Sequence, residues 1–180
     1  MIQSVKIPAE RVGVLIGKGG ETKDTIEKLT GVKLTVDSEE GDVEIDYTHA
    51  KDPSMAIVAS NIVMAIGRGF SPGKALKLLE NDCFLEIFDI RDYVGKKVEH
   101  VSRMRARVIG TKGRTREIFE ELTGADISVY GNTVAVIGTS LQVDVASKGL
   151  EMILCGSEHA AVYHYLEGRR AQLKVDGLGF

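Results

Sequence analysis

The chain has 180 residues, of which 43% are hydrophobic and 27% are charged. This length suits one large domain or two small ones, and this composition supports a packed core and excludes an intrinsically disordered chain. No apolar run approaches the roughly 18 residues that span a bilayer, so we expect no membrane segment.

Charge is strongly segregated along the chain. The net charge of −3 argues on its own against a nucleic-acid partner. However, residues 91–116 carry nine lysines and arginines against two acids, a balance of +7, whereas residues 36–52 carry seven acids against one lysine, a balance of −6. We therefore predict a polarised surface. Residues 1–10 show no signal-peptide pattern, and we interpret Cys83 and Cys155 as reduced core residues. Both features favour a cytoplasmic protein.

In chain order, the first half of the sequence predicts strands and helices around one glycine-rich loop. The elements are a strand at 3–7, a helix ending at Ile16, the loop GKGG at 17–20, a helix at 21–30, strands at 33–36 and 43–47, a long apolar helix at 52–67 and a short helix at 71–80. Gly31 suits a left-handed C-cap, and Asp52-Pro53 suits the start of the long helix.

The second half repeats this order, so the sequence contains an internal duplication. Nine of the 23 residues from Leu15 to Asp37 are identical to the residues 93 positions later. The repeated elements are a strand at 84–89, a helix ending at Ile109, the loop GTKG at 110–113, a helix at 114–123, strands at 126–130 and 133–137, a long helix at 140–156 and a short helix at 157–167. We predict two domains, 1–81 and 82–170, and a C-terminal tail at 171–180.

Each glycine loop, placed between two helices, indicates a site for an anion. Glycines supply the positive φ of a sharp corner, and the first N–H groups of the next helix have no partner within that helix. These donors and the helix dipole favour an anion, and missing Cβ atoms let a phosphate chain lie against the backbone. The predicted cradle for a sugar–phosphate backbone consists of Gly17, Lys18, Gly19 and Gly20 in the first copy and of Gly110, Thr111, Lys112 and Gly113 in the second.

The segments IGKGGETKDTIEKLTGVKLTV and IGTKGRTREIFEELTGADISV both resemble the core of a KH domain. The resemblance covers nearly the whole chain and implies an α+β fold of two type I KH domains, each with the order β-α-α-β-β-α and a three-stranded antiparallel sheet backed by helices. This chain adds one C-terminal helix to each copy. KH domains clamp about four nucleotides of a single strand at the GxxG loop. The resemblance also implies an apolar groove for the bases, and its candidate residues are Val14, Leu34, Val108 and Ile127.

As a whole, the chain is similar to the archaeal tandem-KH proteins of small-subunit ribosome assembly, which are related to the eukaryotic factor called partner of Nob. This similarity implies binding near the 3′ end of small-subunit ribosomal RNA during rRNA processing. It also implies two protein partners, a PIN-domain endonuclease and the alpha subunit of translation initiation factor two. The first loop is degenerate in the eukaryotic relatives, whereas GKGG is intact in this chain.

Charge distinguishes the two loops. Acids follow the first loop at Glu21 and Asp24, whereas the second loop is flanked by the basic residues Arg103, Arg107, Arg114 and Arg116. We predict that these arginines bind RNA and that the second copy supplies most of the affinity. On the helix before the second loop, the spacing of four basic residues forms one stripe, at Lys96, His100, Arg103 and Arg107. The alternative for this basic stripe is an ordinary solvated helix face. The acidic segment 36–52 repels RNA, binds a basic protein or forms a solubilising surface.

The sequence contains no complete catalytic, metal or cofactor motif. GRGFSPGKA at 67–75 has the wrong spacing for a P-loop, because Arg68 and Ala75 stand where Gly and Ser or Thr are required. The four histidines form no metal motif. We predict a non-enzyme without cofactor or metal that binds single-stranded RNA. The alternatives are a protein-interaction scaffold with secondary RNA binding and an exosome-type subunit, which the absence of an OB-type region disfavours.

Overall fold

The computed structural model describes residues 1–177, which form two compact units, the first ending at Asn81 and the second beginning at Asp82. The first unit contains β1 (Ile2–Lys6), α1 (Val12–Ile16), α2 (Glu21–Thr30), β2 (Lys33–Val36), β3 (Asp42–Asp46), α3 (Met55–Gly67) and α4 (Pro72–Ala75). The second contains β4 (Phe84–Asp89), α5 (Arg91–Val94), α6 (Val98–Ile109), α7 (Arg114–Thr123), β5 (Asp126–Tyr130), β6 (Thr133–Gly138), α8 (Ser140–Leu154) and α9 (His159–Gly177). A single 3₁₀ turn forms each glycine corner, at Lys18–Gly20 and Thr111–Gly113.

Each unit has one antiparallel sheet whose last strand lies in the centre, in the orders β1-β3-β2 and β4-β6-β5. Val43 and Ile45 of β3 are fully buried and alternate with exposed residues, as expected for a strand that packs against helices on one face. The register places Val5 and Val36 opposite Val43 in the first sheet, and Phe88 and Val129 opposite Val134 in the second. The predicted fold of two type I KH domains is confirmed.

The C-terminal helix α9 belongs to the core of the second unit. Phe119 of α7, Leu150 of α8 and Leu166 of α9 are all fully buried. Helix α8 approaches α7 at Gly149, where an added Cβ would lie 2.8 Å from Cε1 of Phe119. Full burial of one such side chain stabilises a fold by roughly 1.5–3 kcal/mol, so α9 is a structural part of the domain.

The helices that follow the two corners end as predicted. Gly31 and Gly124 have φ values of +76° and +78°. Their N–H groups donate to the carbonyls of Glu27 at 2.8 Å and Glu120 at 2.9 Å. Glycine reaches this conformation without a Cβ clash, so each glycine closes its helix.

The last helix of each unit differs from its prediction. Instead of one helix at 71–80, the first unit has the four-residue α4, which is followed by a 3₁₀ turn at Leu76–Leu79. Instead of ending at 167, α9 continues to Gly177. The prediction of a tail from 171 is therefore wrong, because Val162, Leu166 and Leu173 form one buried stripe along a single helix. Residues 178–180 of that predicted tail lie outside the described residues.

Candidate nucleic-acid interface

The two glycine corners share one backbone conformation. The φ values are +74°, +63° and +81° at Gly17, Gly19 and Gly20, and +76°, +56° and +77° at Gly110, Lys112 and Gly113. Lys112 is the one residue other than glycine with a positive φ among residues 1–177. A residue with a Cβ is disfavoured there by about 1–2 kcal/mol, so the second corner holds a strained lysine where the first has Gly19.

The first glycine of each corner is required by a threonine on the following helix. A Cβ on Gly17 would lie 2.4 Å from Oγ1 of Thr22, and a Cβ on Gly110 would lie 2.3 Å from Oγ1 of Thr115. Both distances are far below van der Waals contact. The corner therefore packs directly against the first turn of α2 or α7, and this close approach places the loop at the start of the helix.

The outer part of each corner is open to an approaching chain. A Cβ built on Gly19 or Gly113 would meet no atom within 4 Å. Within the described residues, no side chain caps the N-terminus of α2 or α7. The first N–H group of each helix donates within the corner, from Glu21 to the carbonyl of Lys18 and from Arg114 to that of Thr111. An anion at the corner therefore meets an open backbone at the positive end of the helix dipole.

The predicted cations differ in how they are paired. Lys18, Arg103 and Lys112 are exposed and form no ion pair within residues 1–177. Arg114 lies 3.6 Å from Glu117 and 3.9 Å from Glu121, and Arg116 lies 3.8 Å from Glu120. Exposed pairs of this kind contribute little. The guanidinium groups of α7 can therefore exchange a carboxylate for a phosphate.

Arg107 is partly buried and its guanidinium binds two carbonyls of the protein. Its Nη1 donates to the carbonyl of Ile153 at 3.0 Å, and its Nη2 donates to the carbonyl of Ser157. Arg11 makes the equivalent contacts in the first unit, with Nε 2.8 Å from the carbonyl of Ile66. Both arginines close the C-terminal end of the long helix. These contacts give Arg107 a structural role, and its binding to RNA stays a prediction.

Three of the four predicted groove residues lie in the hydrophobic core. Leu34 and Val108 are 1% exposed and Ile127 is 2% exposed, so no base can reach them. Val14 is partly exposed. The prediction of these three groove residues is wrong because apolar residues of a strand or helix look alike in sequence whether they face a groove or the core.

The second unit instead has a cleft of about 340 Å³ between α6 and the turn that joins β5 to β6. Its walls include Val98, Val101, Ser102 and Arg105 of α6, with Gly131 and Asn132 of the turn. Val98 is 82% exposed, which is unusual for a valine on a helix. We call this the turn-side cleft. The spacing of the α6 residues and a turn at Gly131 and Asn132 could be predicted from the sequence, but the position of that turn beside α6 could not.

Three aspartates of the acidic segment 36–52 accept hydrogen bonds that favour their charged form. Hydrogen bonds from the backbone of Glu40 and Glu39 lower the pKa of Asp37. Hydrogen bonds from Thr48 lower the pKa of Asp46, and those from Ser54 lower the pKa of Asp52. Donors that favour the carboxylate keep these three groups ionised to lower pH than a free aspartate, so this segment is negative where α6 is basic.

Among the described residues, no group of three or more His, Cys, Asp and Glu side chains is arranged to hold a metal ion. No helix in that part of the chain has the length and apolar content needed to cross a membrane.

Both halves of the chain match known KH domains. Residues 84–171 match the eukaryotic-type KH domain, or KH domain type I, and residues 2–52 match the KH domain. Together with the two GxxG corners, these matches define a tandem KH-domain protein.

Similar proteins narrow the class. A KH domain-containing protein of Methanocaldococcus jannaschii is 48% identical over 174 residues, covering 96% of this chain and 76% of that protein. The pre-rRNA-processing protein pno1 of Schizosaccharomyces pombe is 24% identical over 175 residues, covering 96% and 73%. A chain in the crystal structure of the a/eIF2alpha–aDim2p–rRNA complex from Pyrococcus horikoshii OT3 is 47% identical, with a TM-score of 0.88 and 96% of each chain covered. This chain belongs to the archaeal Dim2/PNO1-like family of KH-domain proteins.

Proposed function

We propose that this protein binds single-stranded RNA through its GxxG corners and that the GTKG corner supplies most of the affinity. Its target is the 3′ end of small-subunit ribosomal RNA, which it holds in the cytoplasm during ribosome maturation. One observation carries the proposal. The GTKG corner combines an open backbone at the uncapped start of α7 with Lys112, whose strained conformation is retained at the loop.

In this proposal, each part of the strand binds a different part of the second unit. A phosphate lies against the open backbone at Gly113, at the positive end of the α7 dipole, and its charge is balanced by Lys112. The neighbouring bases enter the turn-side cleft, where Val98 offers apolar contact and Arg105 a planar cation. The unpaired bases of a single strand can pack on apolar side chains and on planar guanidinium groups.

The relatives support the choice of RNA and of partners. The Pyrococcus horikoshii complex contains rRNA and a/eIF2alpha, and the Schizosaccharomyces pombe relative is a pre-rRNA-processing protein. We therefore propose that this chain also binds ribosomal RNA and the alpha subunit of translation initiation factor two. The third proposed partner is a PIN-domain endonuclease, to which the protein presents the bound strand.

The proposal is tested by fluorescence anisotropy over a salt series. The probe is a single-stranded oligoribonucleotide with the 3′-terminal sequence of small-subunit rRNA. Thr111→Asp combined with Lys112→Asp should weaken binding by about tenfold or more and flatten the salt slope, which is about −0.7 per neutralised phosphate. The matched pair Lys18→Asp with Gly19→Asp should weaken it less. Equal losses would contradict the asymmetry, and equal affinity for a scrambled oligonucleotide would contradict the 3′-end target.

A second function, protein docking on the first unit, is favoured by one observation. The acidic segment 36–52 has a balance of −6, and three of its aspartates are held ionised. Such a surface repels phosphates and attracts a basic protein. Calorimetry with the alpha subunit of initiation factor two should show weaker binding after Glu39→Lys with Glu44→Lys, while RNA affinity stays the same or rises. Unchanged protein binding would remove this second function.

A further inference from the structure

Helix α6 borders a second cleft on its other side, between the GTKG corner and α9. This cleft measures about 540 Å³. Its walls include Arg103 and Arg107 of α6, Arg114 and Thr115 of α7, and His159 and Tyr163 of α9. We call it the α9-side cleft. It borders the same corner as the proposed phosphate site, yet none of its lining residues belongs to the turn-side cleft.

The chemistry of the α9-side cleft suits a nucleotide. Three arginines and one histidine line it and no acidic residue does. Arg103 is exposed and has no ion pair within residues 1–177, and Arg114 has only the two long pairs to glutamates of α7. These two guanidinium groups are therefore available to a phosphate, which arginine recognises with planar, paired donors.

The α9 wall is rigid and aromatic. The hydroxyl groups of Tyr163 and Thr115 are hydrogen-bonded at 2.8 Å, and Nε2 of His159 lies 2.8 Å from the carbonyl oxygen of Arg107. The two rings are one helical turn apart, with centroids separated by 5.9 Å. Both side chains are only partly buried, so ring surface remains for a base. Stacking on such rings is tolerant of base identity.

The described residues of the first unit do not repeat the basic lining of this cleft. The positions 93 residues before Arg103, Arg107 and Arg114 are occupied by Glu10, Val14 and Glu21. Two cations are thus replaced by acids, and the long α9 is replaced by the four-residue α4. Within residues 1–177, both units have the GxxG corner, whereas the basic and aromatic lining described above accompanies the second corner.

We propose that the α9-side cleft is an additional nucleotide subsite. It binds a phosphate on Arg103 and Arg114 and stacks the attached base on His159 and Tyr163. This subsite rests on the proposed function, since its ligand is a nucleotide of the same strand, which continues from the turn-side cleft past the GTKG corner. Single-stranded RNA then contacts both sides of α6.

Charge reversal tests the phosphate half of the subsite. With a mixed-sequence ribo-decamer, Arg103→Glu should weaken binding by about tenfold and lower the salt slope by about 0.7, the value for one phosphate of a single strand. Lys148→Glu makes the same change of charge on the exposed face of α8, where Lys148 pairs with Asp144 and lines neither cleft. It should weaken binding less than about twofold. Equal effects of the two variants would overturn the subsite.

Two substitutions of His159 test the stacking half. His159→Phe keeps a ring but loses the contact with the carbonyl of Arg107, whereas His159→Gln keeps a donor but loses the ring. Stacking predicts near-native affinity for His159→Phe and a loss of about fivefold or more for His159→Gln. The opposite order would show a purely structural histidine and overturn the proposal.

Ultraviolet crosslinking followed by mass spectrometry separates this proposal from the proposed function. Crosslinks on the α9 peptide that holds His159 and Tyr163, together with crosslinks near GTKG, support the subsite. Crosslinks confined to GTKG and the turn-side cleft overturn the subsite and leave the proposed function intact. A native protein that binds no decamer even at low salt overturns both.

Discussion

At the scale of single residues, Gly110 and Gly113 show two different reasons for a glycine. Their φ values are nearly equal, at +76° and +77°. However, a Cβ on Gly110 would collide with Thr115, whereas a Cβ on Gly113 would enter open space. Gly110 therefore serves the packing of the corner, and Gly113 keeps the backbone accessible to a ligand.

We expect Gly110→Ala to lower the free energy of unfolding by roughly 2–4 kcal/mol, because left-handed strain and a clash in a packed site add together. Gly113→Ala should lower it by roughly 1–2 kcal/mol, from backbone strain alone. Urea denaturation followed by circular dichroism measures both. If the two variants lose the same stability, the contact with Thr115 does not constrain the corner.

At Lys112 we expect the stability of the fold and the affinity for RNA to oppose each other. In Lys112→Gly, relief of about 1–2 kcal/mol of strain is offset by the greater freedom of glycine in the unfolded chain, about 0.4–1 kcal/mol. The unfolding free energy should therefore stay the same or rise, while RNA affinity falls and the salt slope drops by about 0.7.

Lys18→Gly is the matched control for this prediction, because Lys18 does not have a positive φ. It should lower the unfolding free energy by about 0.5–1 kcal/mol, the ordinary effect of a glycine in regular structure. A loss of stability in Lys112→Gly as large as in Lys18→Gly would show that Lys112 is not strained.

At the scale of elements, one arginine in each unit joins the segment before the corner to the end of the long helix. Arg107 binds the carbonyls of Ile153 and Ser157, and Arg11 binds those of Ile66 and Phe70. These carbonyls lie in the last turn of the long helix or just beyond it, where helical partners run out. The position of each GxxG corner therefore depends on the long helix that supports it.

Arg107→Met and Arg11→Met should each lower the unfolding free energy by about 1.5–3 kcal/mol, the range for hydrogen bonds to a charged donor. Arg103→Met is the control, since Arg103 is exposed and unpaired within residues 1–177. It should change stability by less than about 0.5 kcal/mol. Thermal and urea unfolding of the three variants checks this order, and a loss in Arg103→Met as large as in Arg107→Met would contradict it.

Local chemistry explains which elements could be predicted from the sequence. Helices α2 and α7 end as predicted because Gly31 and Gly124 carry their own stop signal. The contacts of Arg107 could not be predicted, because its partners lie 46 and 50 residues away. The α9-side cleft was missed for the same reason, since His159 reaches the corner only through the packing of α9 on α7 and α8.

At the scale of the whole molecule, the duplication produced two similar folds with opposite charge at matched positions. The first helical position after the corner is Glu21 in the first unit and Arg114 in the second. An acid at a helix start is favoured by the helix dipole, so Arg114 is the less stable choice for its helix. Its presence beside the corner is consistent with selection for binding an anion.

Exchanging these two residues moves a positive charge from the second corner to the first without changing the net charge of the protein. The double variant Glu21→Arg with Arg114→Glu keeps the net charge at −3. If the placement of charge decides binding, the loss of Arg114 beside the second corner should lower the affinity for a single-stranded oligoribonucleotide by about fivefold or more. Added to a chain with Thr111→Asp and Lys112→Asp, Glu21→Arg alone should raise the residual affinity and steepen the salt slope by about 0.7. If the exchange leaves affinity and slope unchanged, the RNA responds to the overall field of the protein and not to either corner.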